Sequence, residues 1–224
     1  KGVSPVAAPT NLINLENVSK TYGLKTLLDG VSLGINVGDR VGVVGLNGGG
    51  KSTLLKILSG SDSPDSGRVA VMNDLRQAMV TQDVLREVLV DDSLAATTVG
   101  DAVLGPLDME VYEWASNPKV RNVLNGLGVA ELGLDTPVRD LSGGERRRTG
   151  LAAALVRDLD LLILDEPTNH LDVEGVQWLA EHLLARNTAL VVVTHDRWFL
   201  DTVATTSWEV HDGAVDVYEG GYND

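Results

Sequence analysis

The stretch from Leu161 to Asp172 reads LLILDEPTNHLD, in which four apolar residues lead into an adjacent Asp–Glu pair. Such an apolar run is typical of a buried strand in a parallel sheet, whose last residues reach the exposed edge. Two carboxylates at that edge suit a nucleotide hydrolase that uses magnesium, with Asp165 to hold the metal and Glu166 to polarise a water molecule. We therefore expect a hydrolytic site at the end of this strand.

The composition predicts one soluble domain. With 224 residues, of which 43% are hydrophobic, the chain can bury one substantial core. The absence of cysteine excludes a disulfide framework, a cysteine zinc site and thiol catalysis. Because no apolar run is long enough to span a bilayer, we expect a soluble protein without direct membrane insertion. The absence of cysteine fits a cytoplasmic location, which we also expect. The chain begins at Lys1 rather than at a Met, so we also expect it to be a piece of a longer polypeptide.

The net charge of −14 argues against simple nucleic-acid binding, because much of that affinity comes from Lys and Arg neutralising phosphates. The one dense basic cluster is Arg146 to Arg148. Charge runs of this kind usually form a solvated helix face. A local contact with phosphate or RNA is the alternative interpretation.

A glycine-rich loop lies between a predicted strand, Arg40 to Val44, and a predicted helix that begins near Thr53. The loop reads GLNGGGKS and fits the pattern G-x-x-x-x-G-K-[ST], in which backbone N–H groups surround phosphates at a helix N-terminus. Lys51 would reach the β- and γ-phosphates, and Ser52 would offer its hydroxyl to magnesium. The residues predicted to bind nucleotide here are Gly45, Asn47, Gly48, Gly49, Gly50, Lys51, Ser52 and Thr53.

A second glycine motif, LSGGE from Leu141 to Glu145, opens a predicted helix that continues to about Val156. Ser142 suits the N-cap position, and Glu145 three residues later completes a capping box. That structural role would be sufficient if the motif stood alone. However, Gly143 and Gly144 at the positive end of a helix also form a second phosphate-binding surface.

Together these motifs resemble the nucleotide-binding domain of ATP-binding cassette (ABC) proteins, over nearly all of the chain. The loop Gly45 to Ser52 is similar to Walker A, Leu141 to Glu145 to the signature, Leu161 to Glu166 to Walker B, and Leu171–Asp172 to the D-loop. The resemblance implies an α/β fold, the ABC ATPase fold. Its parts are a P-loop NTPase (RecA-like) core, an N-terminal antiparallel β subdomain and an inserted helical signature subdomain.

The same resemblance assigns three more residues. Tyr22 stands where the family stacks an aromatic ring on adenine, Gln82 matches the glutamine that senses magnesium and the attacking water, and His195 matches the switch histidine that contacts the γ-phosphate. We expect one domain over residues 1–224, with the helical subdomain at about 84–156.

The family mechanism implied by this resemblance needs two cassettes that sandwich two ATP molecules. Lys51, Ser52 and Asp165 would hold magnesium and phosphates, and Glu166 would act as general base. Gln82, also a metal ligand, would orient water and γ-phosphate together with His195. Ser142 and Gly144 would serve the nucleotide of the opposite cassette. Gly143, Glu145 and Asp172 are also expected to bind nucleotide. The partner would be a second cassette of the same polypeptide or a homodimer mate.

Within the superfamily, the chain resembles the ABC-F subfamily. The evidence is DEPTNHLD, the segment THDRWFLD from Thr194 to Asp201, signature Glu145, and the ending YEGGY from Tyr218 to Tyr222. This implies an N-terminal cassette of a protein that acts on the ribosome, in translation regulation or antibiotic resistance. Only 58 residues, Asp83 to Asp140, separate Gln82 from the signature, so the extra arm of some members is expected to be absent.

Three other classes of protein are alternatives to this interpretation. The ATP-binding subunit of a membrane transporter shares every catalytic motif, and Asn169–His170, after the Walker B strand, favours ABC-F over it. A DNA-repair or chromosome-structure ATPase would need a coiled-coil or zinc insertion, which the short gap and the absence of cysteine exclude. A degenerate structural module stays open until hydrolysis is measured, although Glu166, Gln82 and His195 argue against it.

Overall fold

The computed structural model describes residues 8–81 and 97–220, which form two β-sheets and a set of helices. The strands are β1 (Asn11–Tyr22), β2 (Lys25–Asn36), β3 (Arg40–Gly45), β4 (Ser66–Val71), β5 (Gln77–Val80), β6 (Leu161–Asp165), β7 (Ala189–Val193), β8 (Thr206–His211) and β9 (Ala214–Glu219). The first sheet is antiparallel, with the order β2-β1-β4. It is the predicted N-terminal antiparallel subdomain.

The second sheet has the order β5-β6-β7-β3-β8-β9. Its first five strands are parallel, and β9 returns antiparallel to β8 to form a hairpin. Asp165 of β6 is level with Val193 of β7, and Val193 is level with Val43 of β3. The carboxyl ends of these three strands therefore meet at one edge of the sheet.

The helices of the described ranges are α1 (Lys51–Ser59), α2 (Val99–Leu104), α3 (Pro118–Gly126), α4 (Gly143–Leu155), α5 (Val173–Ala185) and α6 (Arg197–Val203). Short 3₁₀ helices lie at Gly105–Leu107, Val111–Ser116, Ala130–Leu132 and Val138–Asp140. Residues 97–155 are thus mainly helical, as predicted, whereas 84–96 lie outside the described residues. The domain bounds remain a prediction. Over the described ranges, no helix has both the length and the apolarity needed to cross a bilayer.

The parallel sheet is buried on both faces, and successive residues of one strand belong to different cores. In β6, Leu162 and Leu164 pack with the helical side, whereas Leu161 and Ile163 pack with the antiparallel sheet. Full burial of an aliphatic side chain stabilises the fold by roughly 1.5–3 kcal/mol. This two-sided packing explains why β6 is apolar throughout, and it fixes the point at which Asp165 emerges from the sheet.

Candidate active site

An open cavity of about 1150 Å³ lies at the carboxyl edge of the parallel sheet. Its volume slightly exceeds the roughly 300–1,000 Å³ of typical small-molecule sites. The cavity lies between the glycine loop, the end of β6 and the end of β7. The predicted site residues that line it are Asn47, Lys51, Ser52, Asp165, Glu166 and His195.

The glycine loop has a backbone shape that a side chain would obstruct. Gly45 has φ 149°, and a Cβ added there would lie 2.5 Å from the carbonyl oxygen of Val210. Gly50, with φ 104°, is the N-cap of α1, and its added Cβ would lie 2.8 Å from the carbonyl oxygen of Leu27. Strands β8 and β2 therefore enclose the loop so closely that only glycine fits.

Two lysines donate hydrogen bonds to carbonyl oxygens of this loop. Lys51 is buried, and its Nζ lies 2.7 Å from the Gly45 oxygen. Lys25, at the start of β2, places its Nζ 2.7 Å from the Gly48 oxygen. Lys25 is not among the predicted site residues, because its contact depends on how β2 packs against the glycine loop rather than on any local motif.

Ser52 and Thr53, which follow Lys51 in α1, point in different directions. Ser52 is exposed and lines the cavity, whereas Thr53 is buried and lies outside the described lining. Alternation of this kind follows from the helical geometry of α1, in which adjacent residues face about 100° apart. Thr53 therefore contributes to packing beneath the site in this structure.

The two carboxylates lie where β6 ends. Asp165 is the last strand residue, and Glu166 adopts φ 49°, a left-handed conformation that is unusual for a non-glycine residue. The Glu166 N–H donates to the Val193 carbonyl at 2.7 Å, which holds this conformation against β7. The Glu166 side chain is only 12% exposed, so its carboxylate is directed into a restricted space.

His195 contacts this carboxylate through both ring and backbone. Its Nε2 lies 3.5 Å from Glu166 Oε1, and its backbone N–H donates to Glu166 Oε2 at 3.4 Å. The ring itself is 69% exposed and faces the cavity. The predicted base and the predicted switch histidine therefore lie side by side, although they are separated by 29 positions in the sequence.

The donor set at the cavity fits magnesium. Asp165 and Ser52 supply hard oxygen donors to the same cavity. Magnesium in nucleotide sites usually takes one or two carboxylates and completes its octahedron with phosphate oxygens and water.

The signature motif starts helix α4 as predicted. The Ser142 N–H donates to Glu145 Oε1 at 2.9 Å, and the Glu145 N–H donates to Ser142 Oγ at 3.2 Å, which completes the capping box. The backbone hydrogen bond from Ser142 lowers the pKa of Glu145. Asp172 caps α5 in a similar way, by accepting from the Gly175 N–H at 2.7 Å. The signature residues and Asp172 lie outside the described lining of the cavity.

Tyr22 and Gln82 complete the predicted set. Tyr22 is half-exposed, donates its hydroxyl to Asp62 and has Lys20 Nζ 5.3 Å from its ring centroid. The hydrogen bond to Asp62 raises the pKa of Tyr22. Tyr22 does not belong to the described lining of the cavity. Gln82 lies outside the described residues, and Thr81, immediately before it, lines the cavity.

The basic cluster on α4 makes contacts within the chain. Arg146 donates to the carbonyls of Val138 (3.3 Å) and Arg139 (2.8 Å), and Arg148 donates to that of Leu127 at 3.3 Å. Arg147 is hydrogen-bonded to the side chain of His170, which lies in the TNHLD segment. All three arginines are partly buried, and their described contacts lie within the chain, so this helix face is both solvated and structural.

Comparison with known proteins identifies the family. The family model described as "ABC transporter" matches residues 28–169. This range covers more than half of the chain, so the protein belongs to the ATP-binding cassette family, whose domains bind and hydrolyse ATP.

The curated relatives it resembles are ABC-F proteins, which confirms the resemblance predicted from the motifs. The chain is 36% identical to the tylosin resistance ATP-binding protein TlrC of Streptomyces fradiae, over 96% of this chain and 45% of the relative. It is also 36% identical to the energy-dependent translational throttle protein EttA of Mycobacterium tuberculosis, over 95% of this chain and 43% of the relative. The chain therefore spans less than half the length of these relatives.

A solved structure agrees on the fold. The ATP-binding cassette MJ0796, a dimer in a post-hydrolysis state bound to ADP and Pi, aligns with a TM-score of 0.71 at 25% identity. The alignment covers 93% of this chain and 98% of that one. The predicted ABC ATPase fold is confirmed.

Proposed function

We propose that this cassette hydrolyses ATP with magnesium, as one half of a two-cassette ATPase that acts on the ribosome. The observation that carries the hydrolytic part is the contact between Glu166 and His195 at the edge of a cavity that Lys51 and Ser52 also line. A base, a polar contact for the γ-phosphate and a phosphate-binding loop are the parts that in-line phosphoryl transfer requires.

In this proposal the residues act by position and charge. Lys51 holds the β- and γ-phosphates, and the loop N–H groups surround them. Glu166 accepts the proton of the attacking water, because its carboxylate faces the cavity beside His195. His195 donates to the γ-phosphate and keeps it in line. Magnesium, held by Asp165, Ser52 and the proposed ligand Gln82, would neutralise charge that develops on the phosphates.

The signature supports a composite site. Ser142, Gly143 and Gly144 start α4 outside the described lining of the chain's own cavity, and the first N–H groups of a helix attract anions. We propose that these residues and Asp172 serve the nucleotide of a second cassette, in the same polypeptide or in a homodimer. The dilute chain should then bind ATP but hydrolyse it slowly, and turnover per chain should rise when a second cassette is added. Full turnover by dilute monomer, unchanged by the partner, would contradict this.

Glu166→Gln tests the general base. The amide keeps the shape of the side chain but cannot take a proton, so ATP should remain bound and the two-cassette sandwich should persist. The measurement is the rate of dissociation of the ATP-bound dimer by light scattering or size exclusion. Equal rates for variant and wild type would argue against Glu166 as base.

The ribosomal part is supported by the names of the relatives, a translational throttle protein and a tylosin resistance protein. The net charge of −14 gives this cassette little attraction for RNA, so we propose that the main RNA contacts lie elsewhere in the full-length protein. Full-length Glu166→Gln protein should cosediment with ribosomes in ATP and separate in ADP. Recovery with a membrane subunit, and not with ribosomes, would favour the transporter alternative.

A further inference from the structure

His170 contacts the signature helix at two points. Its backbone has φ 66°, and its side chain is exposed. A Cβ added to Gly144 would lie 3.2 Å from His170 Cβ and 3.5 Å from its Nδ1. Three residues further along α4, the guanidinium of Arg147 is hydrogen-bonded to His170 Nε2. Because residues three apart share one face of a helix, His170 lies along the first turn of α4.

His170 is also held at a fixed position relative to Glu166. The Asn169 N–H donates to the Glu166 carbonyl at 3.3 Å, and the Leu171 N–H donates to the Thr168 carbonyl at 3.2 Å. These overlapping turns leave little freedom between Glu166 and His170. Both residues have positive φ, a conformation that persists in non-glycine residues only where the surrounding structure imposes it.

A small cavity separates the same helix from the catalytic carboxylates. It has a volume of about 20 Å³, and Arg147, Arg148, Glu166 and Asn169 contribute to its lining. A cavity needs roughly 10–15 Å³ to hold one water molecule, so there is room for a single bridging water but not for free movement of α4. A displacement of α4 would therefore be transmitted to the turn that contains Glu166.

We propose that His170 is a positioning residue that couples Glu166, at the cassette's own nucleotide, to the signature helix that serves the partner's nucleotide. The inference rests on the proposed function, because it assumes that the two motifs serve different nucleotides. In neutral imidazole with the proton on Nδ1, Nε2 accepts the Arg147 N–H. Docking of Gly144 on a partner's phosphate would then fix His170 and, through the two turns, the position of Glu166.

The test is ATP turnover of His170→Ala, measured against chain concentration and with the second cassette added. We expect turnover at saturating ATP to fall on the order of tenfold, since small displacements of a catalytic group have effects of this size or larger. The affinity of the isolated chain for a fluorescent ATP analogue should stay within about twofold, because the phosphate loop is untouched. His170→Gln should recover most of the turnover, because its side-chain oxygen can accept from Arg147.

Neighbouring arginines supply the control and the pairing test. Arg147→Ala should reproduce His170→Ala, and the double variant should be no slower than either single variant. Arg146→Ala removes the bonds to Val138 and Arg139 on the same helix, so it should lower the unfolding temperature but leave turnover per folded chain unchanged.

The outcomes separate the two proposals. A wild-type chain that shows no turnover with its partner supplied would overturn the proposed function and the coupling with it. Wild-type turnover matched by His170→Ala would overturn the coupling alone. The coupling is also wrong if His170→Gln is as slow as His170→Ala, or if Arg146→Ala is as slow as Arg147→Ala.

Discussion

The chain has two glycine motifs with proposed phosphate-binding roles, and they are built in opposite ways. In the phosphate loop, added Cβ atoms at Gly45 and Gly50 would collide with backbone carbonyls of β8 and β2. In the signature, Gly143 has open space around its added Cβ among the described residues, and the nearest atoms to that of Gly144 belong to the His170 side chain. One motif is enclosed by the fold, and the other presents its surface outward.

This difference indicates where each site is completed. A loop that two strands enclose has its phosphate-binding shape before any partner arrives. An exposed helix start, by contrast, presents N–H groups that have no partner within the helix. The comparison therefore supports two separate roles. The phosphate loop binds nucleotide in the chain's own cavity, and the signature contributes to the nucleotide site of a second cassette.

Among the variants that test this difference between the two motifs, we expect Gly45→Ala to cause the largest loss of stability. The added methyl would lie 2.5 Å from the Val210 carbonyl oxygen at a φ of 149°, so either the loop or β8 must move. We expect a loss of about 3 kcal/mol or more in the free energy of unfolding, the range of severe backbone and packing defects. Urea unfolding measures it. Gly48→Ala is the control, because φ is 76° there but no described atom lies within 4 Å, so only strain of about 1–2 kcal/mol remains. Equal losses for both variants would mean that β8 does not enclose the loop.

The parts predicted from the sequence were those with local causes. The capping box of Ser142 and Glu145 depends on residues three positions apart, and the strand before Asp165 is recognisable from its apolar run. The resemblance to the family then related these separate motifs to one another and to one fold. These features are visible in the sequence because each depends on a few consecutive residues.

The contacts that could not be predicted join elements that are distant in the sequence. Lys25 reaches Gly48 because β2 packs against the glycine loop, and Arg147 reaches His170 because α4 packs against the segment after β6. The period of an element predicts which of its faces is buried, but not which side chains of another element that face will contact. The role of Tyr22 remains a prediction, because its ring lies outside the described lining of the cavity.

The next effect depends on pH and involves residues that contact the end of the signature helix. His182 stacks on Trp178 near Arg186, whose guanidinium donates to the Leu155 carbonyl at the end of the signature helix at 2.6 Å. Burial, with repulsion from Arg186 and Lys119, lowers the pKa of His182 to about 4. Between pH 6.5 and about 4 the unfolded chain binds this proton and the folded chain does not, so stability is lost as pH falls through that window.

We expect this loss to be about 1–2 kcal/mol, after a discount for solvent screening of a partly exposed ring. Urea unfolding between pH 7 and 4 measures it, and His182→Gln should flatten the acid slope. His211→Gln is the matched control with the opposite sign. The hydrogen bond to Asp216 raises the pKa of His211, so its stabilisation is present in acid and is lost as pH rises. An acid slope that His182→Gln leaves unchanged would contradict this assignment.

A smaller effect is expected from the cap of α4. Ser142→Ala removes the side-chain oxygen that accepts the Glu145 N–H and leaves Glu145 to cap alone. Loss of an N-cap typically costs about 1 kcal/mol. Thermal unfolding measures the loss, and Ser142→Thr, which keeps the hydroxyl, should recover most of it. A variant as stable as wild type would mean that the capping box does not hold the start of the helix.

Gly143→Ala should give the smallest change in stability and the clearest separation of structure from function. Gly143 is the first residue of α4 and has no described atom within 4 Å of its added Cβ, so alanine fits and reduces the entropy of the unfolded chain. A gain of roughly 0.4–1 kcal/mol is usual for such a change. The added methyl would nevertheless stand at the proposed contact with the partner's phosphate. We therefore expect urea unfolding to show a more stable chain, and ATP turnover with the second cassette to fall while the isolated chain keeps its ATP affinity. A stabilised variant with wild-type turnover would mean that the signature surface does not need its glycine for a partner.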